Sequence, residues 1–431
     1  MQIEKSTLDT ELDSLMEVER QARQLNDMDL SLSTAVKVFE LLQRHGDAEK
    51  LVATVTTLCN KRGQFTKTVS ELVQRCMKMV EEIPRQEEKI RFVSAIKDIC
   101  EKKIYLEVEY ARCAMILVKY NEKDGKNLVE AAKIIENVQV ETYGSMSKFE
   151  KIEFILYQMK LNILLEDNTK LYIVSKKINQ KFLDDAGFHT LKFTFNLYSF
   201  RYYLNAKDFS GASNCLEAAY DAFVLFTAGD EAKLDSLVNA RFKNLLNRPA
   251  LAESAVAFRA IADFSPEKLE KLAALKTKFE QVLVDKPYAL ALLDSFLSGE
   301  ITNCEPQNYN ARNLLAFSGA FDSDGSLLEK LRSALIAKNL AVAGKFYRAV
   351  RLSRLAVLFS ADALAIEEEL AQLIVDGKLE GKINRPEGIV RFARDKAEGQ
   401  LDAWAANLNR LVELVDFVCE RIEREEVVQS A

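Results

Sequence analysis

Residues 345–394 read KFYRAVRLSRLAVLFSADALAIEEELAQLIVDGKLEGKINRPEGIVRFAR. The stretch opens on Phe346-Tyr347-Arg348-Ala349-Val350, aromatic and β-branched, which predicts a short strand. A helix follows, with Leu352, Leu355, Ala356 and Phe359 on one side. Ser360 and Asp362 offer N-cap oxygens for a second helix, in which Ile366, Leu370, Leu373 and Ile374 form one apolar stripe. Gly377 is placed to end that helix. Two β-like runs, 379–383 and 388–392, meet at the turn residues Arg385-Pro386-Glu387-Gly388. A strand, two helices and a β-hairpin make the winged-helix plan, a relative of helix-turn-helix.

A winged helix that binds DNA would place its second helix in the major groove. Here residues 362–380 carry Asp362, Glu367, Glu368, Glu369, Asp376 and Glu380 against Lys378 alone. Affinity for DNA comes largely from Lys and Arg neutralising phosphates, so this helix would be repelled. The flanks are basic instead: Lys345, Arg348, Arg351 and Arg354 before it, Lys382, Arg385, Arg391 and Arg394 after it. Opposite signs on two faces of one small module suit contact between proteins, one module's face meeting the next module's opposite face. The candidate contact residues are Lys382, Ile383, Arg385 and Arg391. The bland alternative is that these are ordinary solvated faces.

The same residues carry a resemblance. Arg354-Leu355-Ala356, Glu367-Glu368, Leu370, Leu373-Ile374-Val375, Lys382-Ile383-Asn384-Arg385 and Gly388-Ile389 resemble the winged helix of the PCI family, named for proteasome lid, signalosome and initiation-factor complexes. Upstream, Val138-Gln139-Val140-Glu141-Thr142-Tyr143-Gly144-Ser145-Met146, the run 153–161 and Ile173-Val174-Ser175-Lys176-Lys177-Ile178 resemble the helical repeats of its proteasome-lid members. The likeness covers about residues 100–205 and 327–430. It implies a non-catalytic scaffold subunit of the proteasome regulatory-particle lid. The implied partners are other PCI-containing lid subunits, the lid deubiquitinase pair, and the proteasome base and core. A PCI subunit of the signalosome and a nucleic-acid-binding PCI protein are the alternatives, the acidic second helix counting against the latter.

At 431 residues the chain is too long for one core. With 48% hydrophobic and 29% charged residues it has the composition of a soluble folded protein. Six prolines and fifteen glycines leave few helix breaks, and a net charge of −6 gives no sign of nucleic acid. The seven cysteines include no CxxC, and their number is odd; this predicts reduced thiols, mostly buried, in a cytoplasmic or nuclear protein. No signal peptide is visible at the N-terminus, and no apolar run approaches the ~18 residues of a membrane helix.

In chain order, residues 1–100 read as about five helices, punctuated at His45-Gly46-Asp47, Gly63 and Pro84. Residues 101–326 read as further helical repeats, with helices at 104–121, 126–137, 149–165, 169–182, 189–205 and 209–226. The aromatic run Phe193, Phe195, Leu197, Tyr198, Phe200, Tyr202, Tyr203 is expected as core between stacked hairpins rather than as a ligand groove. A hairpin cannot bury its own apolar face, so neighbours stack. Residues 299–325, rich in Asn, Ser, Gly and Asp, read as a loose connection, and Ser326 with Glu329 as a capping box. Residues 327–394 form the winged-helix PCI module and 395–431 a terminal helix.

That last helix carries Leu401, Trp404, Leu408, Leu411, Val415, Val418 and Ile422 at spacings of 3, 4, 3, 4, 3, 4. This is three heptads of apolar seam on a helix of about 45 Å at the usual rise. It predicts a bundle with partner helices, the alternative being that the helix folds back along its own winged helix, which is too short to cover it.

No catalytic pattern appears. The two histidines, His45 and His189, lie far apart; no HExxH or His-x-His exists. The run 377–382 has a glycine spacing one short of a phosphate loop and no following Ser or Thr. The expectation is therefore an all-α protein: a tetratricopeptide-like helical solenoid, a winged-helix PCI module and a long C-terminal helix, with no enzyme activity, cofactor or metal.

Overall fold

A computed structural model describes residues 2–45, 48–83, 85–101, 103–124, 127–185, 187–226, 242, 245–284, 286–304, 326–392 and 397–430. The chain divides into two compact units. One comprises Met1–Ala206 with Ala218–Lys243, the other Lys207–Glu217 with Asn244–Ala431.

In the first unit the five helices expected before residue 100 are α1 (Gln2–Gln24), α2 (Met28–His45), α3 (Ala48–Asn60), α4 (Thr66–Glu82) and α5 (Gln86–Cys100). After them come α6 (Glu107–Asp124), α7 (Leu128–Glu136), α8 (Lys148–Leu164), α9 (Asn168–Ser175) and α10 (His189–Asn205). Helix α11 (Phe209–Val224) contains the division between the units. Packing runs from neighbour to neighbour: α1 on α2, α2 on α3 and α4, α3 on α5, α5 on α6, α6 on α7, α7 on α8, α8 on α9 and α10. Each amphipathic helix thus covers the stripe of the next. Between α3 and α4, Gly63 adopts φ +76, a left-handed turn open to glycine at little cost. Gly46, Asp47 and Pro84 lie outside the described residues.

The expected helix 169–182 is shorter. It stops at Ser175, and a separate 3-10 turn spans Gln180–Asp184. Asn179 caps that turn, its Oδ1 accepting from the Lys181 N–H at 3.1 Å. Buried Ile178 holds the bend between them.

Helix α10 is buried on all sides between Phe193 and Phe200, and its last turn is half-exposed. Phe193, Leu197, Tyr198 and Phe200 are buried, and so are Thr194, Asn196 and Ser199 between them. Phe193 packs on Phe223 and Phe226 with ring centroids 5.5 and 5.4 Å apart. Phe193, Phe195, Leu197, Tyr198 and Phe200 are core, as expected, whereas Tyr202 and Tyr203 are only half-buried. Four cysteines, Cys59, Cys76, Cys100 and Cys113, also sit in this unit's core. Burial pushes their thiols up, Cys59 to about 11 and Cys113 to about 12, so they stay protonated.

In the second unit α12 (Arg248–Ile261), α13 (Pro266–Phe279) and α14 (Pro287–Leu297) pack on one another, and α12 also meets α15 (Ser326–Phe346). Helix α15 is buried almost all round. Its Lys338 and Asn339 reach the backbone of residues 300–304. Lys338 donates to the Glu300 carbonyl, and the Asn339 amide both accepts from Thr302 N–H and donates to Thr302 O. The start of the segment expected to be loose is therefore pinned; 305–325 and the Ser326 cap lie outside the described residues.

The winged helix follows as β1 (Ala349–Arg351), α16 (Leu352–Phe359), α17 (Ala363–Val375), β2 (Gly381–Asn384) and β3 (Ile389–Phe392). The sheet is antiparallel with order β1-β3-β2. Leu352, Leu355 and Phe359 of α16 face Ile366, Leu370 and Leu373 of α17, all buried. Gly377 adopts φ +69 after α17. A Cβ on Gly344 would lie 2.9 Å from Leu379 Cδ1, so glycine there lets α15 approach the wing closely. The expected N-caps are absent. Ser360 instead ends α16 in a left-handed conformation, and Asp362 at the N-cap position of α17 makes no side-chain cap bond. With Ser360 committed to closing one helix, its hydroxyl is not placed to open the next. Helix α18 (Ala397–Ser430) ends the chain.

Phe193→Ala should destabilise the unit containing α10 by about 3–5 kcal/mol, because removing a fully buried ring leaves a cavity. A denaturant midpoint unchanged for that unit would contradict the packing described.

Candidate assembly surfaces

The sheet register sorts the winged helix into two faces. Val350, Val390 and Ile383 are cross-strand partners on one face, and Val350 and Val390 are buried there. Side chains alternate along a strand, so Ala349, Arg391 and Lys382 form the row on the outer face, followed by Arg351, Ile389 and Asn384. Among the expected contact residues the structure brings Lys382 and Arg391 together as directly opposed like charges. Ile383 turns to the other face. Arg385, in the turn, donates from Nε to Glu367 of α17 at 2.7 Å. Part of the charge contrast between wing and acidic helix is thus satisfied inside the module, by a pair whose arginine is mostly exposed and which contributes little to stability. Among the described residues no carboxylate pairs with Lys382, Arg391, Arg351, Arg348 or Arg354 within salt-bridge distance. An arrangement of this kind repels itself and attracts an acidic neighbour.

Beside β2 a groove of about 490 Å³ is lined by Ile374, Leu379 and Phe392 together with Lys382, Arg391 and Glu380. Strand β2 pairs only with β3 and is a sheet edge. Apolar and charged lining beside an open strand edge offers main-chain, apolar and ionic contacts at one place.

The second surface is α18. Trp404, Leu408, Leu411, Val415, Val418 and Ile422 are between 45% and 65% exposed; the side chain of Leu401 lies outside the described ones. Val412 and Leu414 are exposed as well, and at 100° per residue they flank the seam by roughly 80° on either side. The apolar face is therefore wider than the seam of a two-stranded coil, and it suits more than one neighbouring helix. The heptad pattern marked only the centre of that face. The signal for its width, apolar residues one step to each side, is present in the sequence.

Nothing in the described residues gathers three or more His, Cys, Asp or Glu side chains as a metal site. His45 ends α2 and His189 begins α10. Residues 377–382 form the turn into β2. No described helix is long and apolar enough to cross a membrane.

Residues 10–224 match the family model described as PSMD12/CSN4, N-terminal, and residues 300–394 match the PCI domain. The chain belongs to the PSMD12/CSN4 group of PCI proteins. Its relatives include the 26S proteasome regulatory subunit RPN5 of Saccharomyces cerevisiae, 27% identical over 97% of this chain and 91% of the relative. The 26S proteasome regulatory subunit rpn501 of Schizosaccharomyces pombe is 27% identical over 98% of this chain and 92% of the relative. The 26S proteasome non-ATPase regulatory subunit 12 homolog A of Arabidopsis thaliana is 27% identical over 98% of both chains. The PCI match takes in α15, the winged helix and the residues pinned by Lys338 and Asn339, whereas α18 lies beyond it.

Lys382→Glu should place an opposite charge across from Arg391 and stabilise the PCI unit by roughly 0.2–1 kcal/mol. A lower melting temperature for this variant would show that Lys382 and Arg391 do not repel.

Proposed function

We propose that this PCI protein is a non-catalytic scaffold subunit of the proteasome regulatory-particle lid, supporting degradation of ubiquitinated proteins. The observation that carries the reading is the uncovered apolar face of α18 on a chain whose relatives are named as proteasome regulatory subunits across almost their full length. In this reading Leu401, Trp404, Leu408, Leu411, Val415, Val418 and Ile422 enter a bundle with helices of other subunits. Lys382, Arg385 and Arg391 meet the acidic face of a neighbouring PCI module, and Ile383 supports that contact from the inner face of the sheet. Residues 1–100 and 101–326 serve as helical repeats that carry the 327–394 module and the 395–431 helix. The partners are the other PCI subunits and the deubiquitinase pair of the lid, and through them the proteasome base and core, in cytoplasm and nucleus. The second reading is a signalosome subunit, favoured by the joint description of the N-terminal family model.

The test is purification of the tagged chain from its own cells at moderate salt. Proteasome regulatory subunits in equal amounts should accompany it, and Lys382→Glu should reduce that recovery several-fold while leaving the chain folded. Recovery of signalosome subunits, or of RNA released by added salt, would replace this reading with one of its rivals.

A further inference from the structure

The small sheet has a second open edge. Strand β1 pairs with β3 alone. Phe392 N–H donates to Arg348 O at 3.0 Å, and Leu352 N–H donates to Gly388 O at 2.8 Å. Hydrogen-bonded pairs alternate along an antiparallel ladder, so residues 348, 350 and 352 bond toward β3. Ala349 therefore turns its N–H and C=O away from the sheet, and Arg351 turns its N–H the same way. Both residues are exposed. The approach to this edge is an uninterrupted exposed run, residues 345–349, in which Phe346 is 69% and Tyr347 41% exposed. Two large rings are thus left in water immediately before an unpaired strand edge.

Charge at this edge is one-sided. From Lys345 to Ala361 the chain carries Lys345, Arg348, Arg351 and Arg354 and no Asp or Glu. Among the described residues none of the four has a carboxylate within ion-pair distance. Across the ladder β3 adds Arg391, the partner of Ala349. The wing turn adds one carboxylate, Glu387, next to the Gly388 that accepts from Leu352. Four cations and Arg391 thus stand against a single anion. A ligand that brings negative charge along an extended backbone would meet both the cations and the open main chain.

We propose that the β1 edge takes an extended acidic peptide segment of another protein as a fourth strand, its acidic and apolar residues alternating. Side chains of an added strand point to the two faces of the sheet in turn. Those on the outer face fall beside Ala349 and Arg351, with Arg391 one strand further, where carboxylates gain ionic partners. Those on the inner face continue the row that holds buried Val350, where apolar side chains fit. Phe346 and Tyr347 add ring surface at the start of the edge. A nucleic acid would meet the cations but has no backbone to pair with the outward N–H and C=O of Ala349, so the edge selects peptide. This surface is the opposite edge of the sheet from the groove beside β2, and the proposal does not depend on the assembly reading above.

The experiment is fluorescence anisotropy of the full chain with a labelled short peptide that alternates glutamate and valine. Two further peptides carry backbone N-methyl groups, one on its glutamates and the other on its valines, and a labelled oligouridylate of similar length is the nucleic-acid comparator. The parent peptide should bind saturably, one per chain. One N-methylated peptide should bind at least tenfold more weakly and the other should match the parent, because only alternate amides of an added strand face β1. Arg351→Glu, at an exposed position, should weaken the parent peptide at least tenfold, and Lys382→Gln on the opposite edge should not. Arg354→Glu, which lies off the sheet, should weaken it several-fold and serves if the first variant melts early. Absence of saturable binding, equal affinity of the two N-methylated peptides, or loss in Lys382→Gln as large as in Arg351→Glu would overturn the proposal. Tighter binding of the oligouridylate than of the peptide would overturn it as well.

Discussion

An apolar helix face must be covered, and nearly everything in this chain follows from how each helix meets that demand. A fully buried Leu or Val side chain is worth about 1.5–3 kcal/mol relative to exposure. Helix α10 meets the demand within its own unit, and α15 does so within the second. The repeats from α1 to α10 meet it by serial stacking, each helix against the next. Helix α18 alone among these presents its stripe uncovered. In the proposed reading, the contacts that complete it come from other chains.

Charge adds direction to that demand. The outer face of the small sheet sets Lys382 opposite Arg391 with Arg351 nearby, and α17 presents Glu367, Glu368 and Glu369. Arg385 and Glu367 join the two signs inside one module. The remaining basic residues keep their charge available at a sheet edge, where an acidic neighbour gains both ionic contacts and main-chain partners. Apolar burial supplies affinity in such an assembly, and the charges fix which face meets which.

Much of this was legible in the amino-acid order. The 3.6-residue stripes of α16, α17 and α18, the left-handed Gly377 and the Arg385–Gly388 turn are local properties, and local rules found them. The aromatic run in α10 reads as core because its apolar residues surround the helix instead of lining one side. What escaped depends on distant residues. Ser360 resembles an N-cap in sequence, yet it closes α16, because only the folded chain decides which helix a shared residue serves. Residues 300–304 have loop composition, yet Lys338 and Asn339 some 35 positions later hold them. Ile383 neighbours Lys382 in sequence and faces the opposite way, a consequence of strand alternation that a surface list ignores.

The central claim is that α18 is completed by other subunits and not by its own chain. The most direct measurement is a full-length Leu408→Asp, Leu411→Asp chain, followed by melting, helical signal and incorporation into the tagged complex. The account predicts melting and helicity close to those of the unaltered chain and loss of incorporation, since charges buried unpaired in a bundle are strongly unfavourable. Normal incorporation, or unfolding of the winged helix in the free chain, would contradict it.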